Sequence, residues 1–183
     1  MSLRFRSLGS GSAGNATLVE SGDGLRRRNL LIDCGMPLRR LTARLQQAGV
    51  EPGGLAAVFI THEHADHAGC VQQLALRLRI PVWMSRGTHA AMGAPDFDGL
   101  LRQARDGDML DIAGMQLQPF TVPHDAREPL QLRCSDGDRA LGLATDLGHA
   151  SAHVVDSLQR CHALLLEANH DPDMLAASNY PDF

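Results

Sequence analysis

The sequence predicts a mixed α/β (α+β) domain. Short apolar segments of strand length alternate with segments whose apolar residues recur at helical spacing through the first half of the chain. From Gly107 onward the pattern becomes one strand after another. The 183 residues, 44% hydrophobic and 21% charged, suffice for a real core and argue against disorder. With no internal repeat or low-complexity linker, residues 1–183 read as a single domain.

Residues 3–8 alternate as a strand, and 16–19 and 29–32 read as two more, joined by a Gly- and Arg-rich turn. Pro37 suits the first position of a helix; Leu38, Leu41, Leu45 and Ala48 form its apolar stripe and Gly49 ends it. Residues 57–61 form an apolar strand. Asp66 is placed to cap a helix with the stripe Val71, Leu74 and Leu78. Residues 81–84 are a short strand, and 85–105 a helix broken at Gly93 and Pro95. Strands follow over 109–112, 115–122, 130–134 and 140–145, with Pro119 confining part of the second to an edge or bulge. Ser151 caps a short helix carrying Val154, Val155 and Leu158. The wholly apolar strand 163–166 is expected to be buried on both faces. Asp171-Pro172 opens another helix, and the chain stops soon after, at Phe183.

Composition excludes several functions. No apolar run approaches ~18 residues and the N-terminus has no signal-peptide core, so a soluble cytoplasmic protein without membrane partners is expected. The net charge is −4, and every one of the 17 basic residues is Arg. That balance argues against indiscriminate polyanion binding but permits local patches at Arg26-Arg27-Arg28 or at Arg39-Arg40 with Arg44, each of which also reads as a solvated turn or helix face. Cys34, Cys70, Cys134 and Cys161 form no CxxC pair and read as reduced core thiols. Gly9, Gly11 and Gly14 spell G-x-G-x-x-G after a strand, with Asp33 at the distance of a ribose-binding acid. The motif requires a helix next, however, and Ala16-Thr17-Leu18-Val19 is β-like, so these glycines read as a tight amide-exposing loop.

The chemistry centres on Thr61-His62-Glu63-His64-Ala65-Asp66-His67, directly after a buried strand. Extended backbone turns His62 and His64 to one side, and a following helical turn brings Asp66 and His67 back toward the same space. Imidazole and carboxylate in this density suit Zn, Mn or Fe. Further polar groups stand where apolar strands stop: Asp33, His124-Asp125, Asp146, and Glu167 with His170. His89, His149, His153 and His162 read as exposed or structurally satisfied.

The H-x-H-x-D-H segment, with Asp33 before it and His124 and Asp146 after it, resembles the metallo-β-lactamase superfamily. The segments Ser7-Leu8-Gly9-Ser10-Gly11-Ser12-Ala13-Gly14-Asn15, Leu31-Ile32-Asp33-Cys34-Gly35 and Glu167-Ala168-Asn169-His170-Asp171-Pro172-Asp173-Met174-Leu175 are similar to its YycJ/WalJ-type branch. The resemblance implies an αββα sandwich with a dinuclear site on one edge, holding two divalent ions, Zn or Mn, with Fe as another candidate. It implies that His62, His64 and His124 hold the first ion, that Asp66 and His67 hold the second, and that Asp146 bridges both. Asp33 would orient a ligand imidazole, and Asp66 would take a proton from the attacking water. An Asp at position 146, where one major class of β-lactamases has Cys, is similar to the glyoxalase II, ribonuclease Z and DNA-processing branches.

The resemblance implies a metal-dependent phosphodiesterase or nuclease of DNA exonuclease type, working through a bridging hydroxide, with a nucleic-acid substrate. Ser10, Ser12, Asn15, Arg39, Arg40, Glu167 and His170 are its candidate substrate-side residues. The chain departs from the family at its C-terminus. Relatives carry a later Gly-His-Leu-Ser segment and a further His that this sequence lacks, so the C-terminal portion of the sandwich and of the second site is expected to be incomplete, and Glu167 has no obvious partner. A small ester or thioester hydrolase of the same fold is one alternative. An inactive or partial metal-binding module is another, in which an uncovered sheet face favours a homodimer.

Overall fold

The computed structural model describes residues 2–22 and 27–167. Two sheets form the centre. The first has the order β1-β2-β3-β4-β5-β6 from Ser2–Gly9, Ala16–Gly22, Arg27–Ile32, Leu55–Phe59, Val82–Met84 and Leu101–Gln103. Its first three strands pair antiparallel and the others parallel. Each parallel step needs a crossover. These are α1 (Leu38–Gln47), then α2 (Ala65–Ala68) with α3 (Val71–Leu78), then α4 (Arg86–Ala91). The second sheet runs β11-β10-β9-β8-β7, from Ala163–Leu166, Ala140–Ala144, Leu130–Ser135, Met115–Thr121 and Leu110–Ile112. It is antiparallel except for β10 and β11, which α5 (Ala152–Leu158) connects.

Alternation along the strands sorts side chains between two cores. Val19, Leu30, Ile32 and Phe59 point inward and meet Met115, Leu117, Leu130, Leu132 and Leu143 between the sheets. Leu18, Leu31, Val58 and Val82 point outward and are covered by Leu41 and Leu45 of α1 and by Val71, Leu74 and Ala75 of α3. Val154 of α5 packs on Phe120 and Val122 outside the second sheet. The result is a four-layer αββα sandwich.

Several expectations change. Asp66 does not cap a helix: His64 holds the cap position of α2 and Asp66 lies in its first turn. The single helix expected there is two, because Cys70 (φ −118°, ψ 12°) interrupts it. Within 85–105 the broken helix ends at α4, and β6 appears as an edge strand too short for a sequence period to register. Pro119 lies in the stretch of β8 beyond the pairing with β7, where its missing N–H costs no ladder bond; its carbonyl accepts from Gly107. Val155 is exposed. Leu164 and Leu166 are each 47% exposed, so β11 is not buried on both faces: it is an edge strand, and no described element covers its outer side. After Gly14 the chain enters β2, with no helix to receive a pyrophosphate. The helix expected from Asp171-Pro172 lies outside the described residues.

Candidate metal centre

β3, β4, β8, β10 and β11 deliver their ends to one edge of the sandwich. At the end of β3, Asp33 has φ +60°, a strained turn that Asp tolerates better than most residues. Its buried carboxylate then lies under the next strand end. Thr61 donates to it twice, from its N–H (2.8 Å) and from its hydroxyl (2.9 and 3.0 Å to the two oxygens). The Thr61 hydroxyl has one proton. With that proton given to Asp33, its oxygen accepts from His62 Nδ1 at 3.0 Å. His62 then carries its proton on Nδ1, and its Nε2 is a bare lone pair. That Nε2 is fully buried and has no hydrogen-bond partner among the described residues.

The other imidazoles gather around it. Ring centroids of His64, His67 and His124 lie 4.7, 4.1 and 4.7 Å from that of His62. His62, His64 and His124 present ligand atoms within 4.8 Å of one another, and so do His62, His67 and Asp146. His67 Nδ1 lies 2.8 Å from Asp33, while its Nε2 faces Asp146 Oδ2 at 3.2 Å and Asp66 Oδ2 at 3.7 Å. Asn15 Nδ2 lies 2.9 Å from the same Nε2. A proton on Nε2 satisfies the carboxylates but opposes the amide; a lone pair accepts from the amide but opposes the carboxylates. A divalent cation replacing the proton resolves the conflict with the carboxylates. Together with the orphaned His62 Nε2, this donor set fits a divalent metal.

Electrostatics follow from the crowding. Burial, then the neighbouring charges of His67 and His124, hold the His62 pKa down at about 3, so it is neutral at pH 7. Burial also lowers that of His124. Burial opposes the charge on His67, but hydrogen bonds to Asp146 and Asp33 overcome it and raise its pKa to about 10 in the metal-free chain. Burial would raise the Asp146 carboxyl, but the hydrogen bond from His67 prevails and lowers it. The metal-free cluster thus holds a proton on His67 that a cation must expel. Apparent metal affinity should therefore rise with pH, approaching about tenfold per unit between pH 6.5 and 9 if one proton is released. Competitive chelator titration measures it, and a pH-independent affinity would contradict the picture.

The remaining candidates divide. Asn15 ties the Gly-rich loop to the turn that bears Asp66. Its Oδ1 accepts from Gly11 N–H, its Nδ2 donates to Asp66 Oδ2 (3.1 Å), and its backbone N–H donates to the Asp66 carbonyl (2.7 Å). Glu167 also turns inward: its carboxylate accepts from Leu147 N–H at 2.9 Å, a partner the sequence did not suggest. Ser10 and Ser12 are exposed on the loop. Arg40 donates to the Ala13 carbonyl on that loop, whereas Arg39 points into a groove between α1 and α3. His170 and Arg26 lie outside the described residues; Arg27 is near Glu20 and Arg28 covers Gly114. His89, His153 and His162 are bonded to Pro95, Asp106 and Ala140.

Thr61, Gln131 and Gly35 escaped sequence reasoning. Gln131, fully buried, donates to the Asp146 carbonyl and accepts from Thr145 N–H, fixing the loop that carries Asp146. Thr61 had a signal in its place ahead of the first His, but not one that separates it from an ordinary strand-end residue. Thr61→Val keeps the shape and removes the hydroxyl, leaving Asp33 and His62 Nδ1 short of partners. It should weaken metal binding about 10–100-fold, with Thr61→Ser close to wild type, by the same titration.

The Metallo-beta-lactamase superfamily profile matches residues 9–166. The chain belongs to the metallo-β-lactamase superfamily. Among curated proteins, it is 31% identical to exodeoxyribonuclease YycJ of Bacillus anthracis over 99% of its length, and 29% identical to exodeoxyribonuclease WalJ of Streptococcus pneumoniae over 97%. It spans 68% and 66% of those proteins, about two thirds. The hydroxyacylglutathione hydrolase of Xylella fastidiosa is 29% identical over 76% of the chain and 52% of that protein. Among solved metallo-β-lactamase folds, YhfI of Bacillus subtilis superposes with a TM-score of 0.77 at 18% identity, covering 93% of this chain and 74% of that one. Zn(2+)-bound PqqB of Methylobacterium extorquens gives 0.76 at 15%, covering 94% and 76%. At such identities the agreement concerns the fold.

Proposed function

We propose that the chain is a metal-dependent phosphodiesterase acting on DNA as an exonuclease. The observation that carries the reading is the pair of ligand groups sharing His62, with the Asp146 carboxylate in one of them. His62, His64 and His124 would hold one divalent ion, Zn or Mn. His67 and Asp146 would hold a second beside it, with Asp66 nearby. When bound, such ions lower the pKa of water and neutralise charge on the attacking and leaving oxygens. Asp33 holds His67 through Nδ1 and, through Thr61, fixes the tautomer of His62. Asp66 Oδ2, partly exposed and steadied by Asn15, is the group set to accept a proton from the attacking water. The two exodeoxyribonuclease relatives supply the substrate class.

The test is degradation of linear DNA, with closed circular DNA as control, in Zn²⁺ or Mn²⁺ and in chelator. Metal-dependent loss of the linear form only is expected. No hydrolysis with either ion overturns the reading and favours a partial metal-binding module. A second reading, a small thioester hydrolase, has support from the hydroxyacylglutathione hydrolase relative. Salt separates the two, because a polyanionic substrate loses affinity steeply as salt rises and a small ester does not.

A further inference from the structure

Charge is one-sided on α1 and α3, the two helices that cover the first sheet. Residues 34–50 and 67–95 carry Arg39, Arg40, Arg44, Arg77, Arg79 and Arg86, and none of the chain's 21 acidic residues. In a protein of net charge −4 this leaves α1 and α3 with Arg39, Arg40, Arg44 and Arg77 and no carboxylate of their own. Between them the two helices leave an open groove of about 620 Å³, with Arg39, Thr42 and Gln46 on one wall and Gln73 and Arg77 on the other. Arg39 and Gln46 are seven residues apart and Gln73 and Arg77 four, spacings that put each pair on one helix face. Both arginines are exposed, and among the described residues neither is paired with a carboxylate. No acid lines the groove: Asp33 and Asp66, the nearest in sequence, are engaged at the metal centre by Thr61, His67 and Asn15, and Asp98 is paired with Arg79.

We propose that this groove binds the phosphodiester backbone of one nucleic-acid strand, as a track separate from the metal ligands. The proposal rests on the nucleic-acid reading above and extends it to residues outside the metal centre. Guanidinium forks match the non-bridging oxygens of phosphate, and glutamine amides donate to phosphate or sugar. The groove is open to solvent, so an extended backbone can lie against it without entering a closed cavity. The groove also begins near the site along the chain. Arg39 is six residues beyond Asp33, and Gln73 six beyond His67. Arg40, beside Arg39, is bonded to the loop that ends in Asn15.

The experiment is fluorescence anisotropy of the metal-loaded full chain with a labelled phosphorothioate oligothymidylate of about a dozen nucleotides, over a salt series. Removing two phosphate contacts, Arg39→Gln/Arg77→Gln should weaken binding about tenfold at low salt and reduce the log–log salt slope by about 1.4. Arg39→Lys/Arg77→Lys should keep the slope. Arg4→Gln/Arg6→Gln, on the exposed outer strand, removes equal charge elsewhere and should shift both quantities far less. Equal thermal unfolding midpoints check that the variants fold. Affinity and slope within twofold of wild type for the groove variant, or an equal effect from the outer-strand variant, overturn the proposal. A strand that is bound in the groove but never cut refutes the nuclease reading instead, and one cut without dependence on the groove refutes only the groove.

Discussion

Gly35→Ala should cost the protein both its metal and much of its stability. A Cβ at position 35 would stand 1.6 Å from the Asp66 carbonyl oxygen, 1.8 Å from its carbon and 2.5 Å from the His67 nitrogen. All three are backbone atoms, so no rotamer change relieves the clash, and the turn bearing Asp66 and His67 must move. The neighbouring ties leave little room: Gly35 N–H donates to the Asn15 carbonyl, Cys34 N–H to the His67 carbonyl, and Cys70 N–H to the Cys34 carbonyl. Overpacking against fixed backbone should cost about 3 kcal/mol or more, which for a chain of this size lowers the thermal midpoint by about 10 °C. Gly53→Ala is the control, with nothing within 4 Å of the new Cβ and no positive φ; it should change stability by less than about 0.5 kcal/mol. Calorimetry with elemental analysis reads both effects. An unchanged midpoint with full metal content would refute the close approach.

His62→Ala should have the largest effect on activity. His62 is the residue common to both ligand groups, so its loss should weaken both proposed sites at once. Losing an outer partner of a metal ligand costs up to about 100-fold, so losing the shared ligand should exceed that in hydrolysis. His149→Ala, at an exposed position on the loop after β10, should retain both metal and activity. Metal-dependent turnover in His62→Ala within tenfold of wild type would remove His62 from the site.

The clustering of His62, His64, His67, His124 and Asp146 was legible because strand periodicity is strong here. Apolar runs stop at one edge, and a polar residue just past each stop must lie on that edge once the strands pair. Local signals failed where packing overrode them. Leu164 and Leu166 have a core composition, yet β11 lies at a sheet edge. Asp66 looks like a helix cap, yet Asn15 and His67 engage its carboxylate instead. Arg39 and Arg40 are adjacent in sequence, but the 100° turn per residue of α1 sends one to the groove and the other to the loop.

The sequence by itself determined the mixed α/β class, the αββα architecture through its family resemblance, and the residue types that gather at the edge. These follow from periodicity and motif spacing, which are properties of neighbouring residues. Only the tertiary structure decided that Thr61 links Asp33 to His62, that Asn15 and Gly35 brace the turn at Asp66, that Gln131 and Glu167 fix the loop of Asp146, and that α1 and α3 enclose a basic groove. Each of these joins residues far apart in sequence or depends on which way one side chain faces. A hydrogen bond forms only within a few tenths of an ångström of its ideal length, and no local pattern carries that distance.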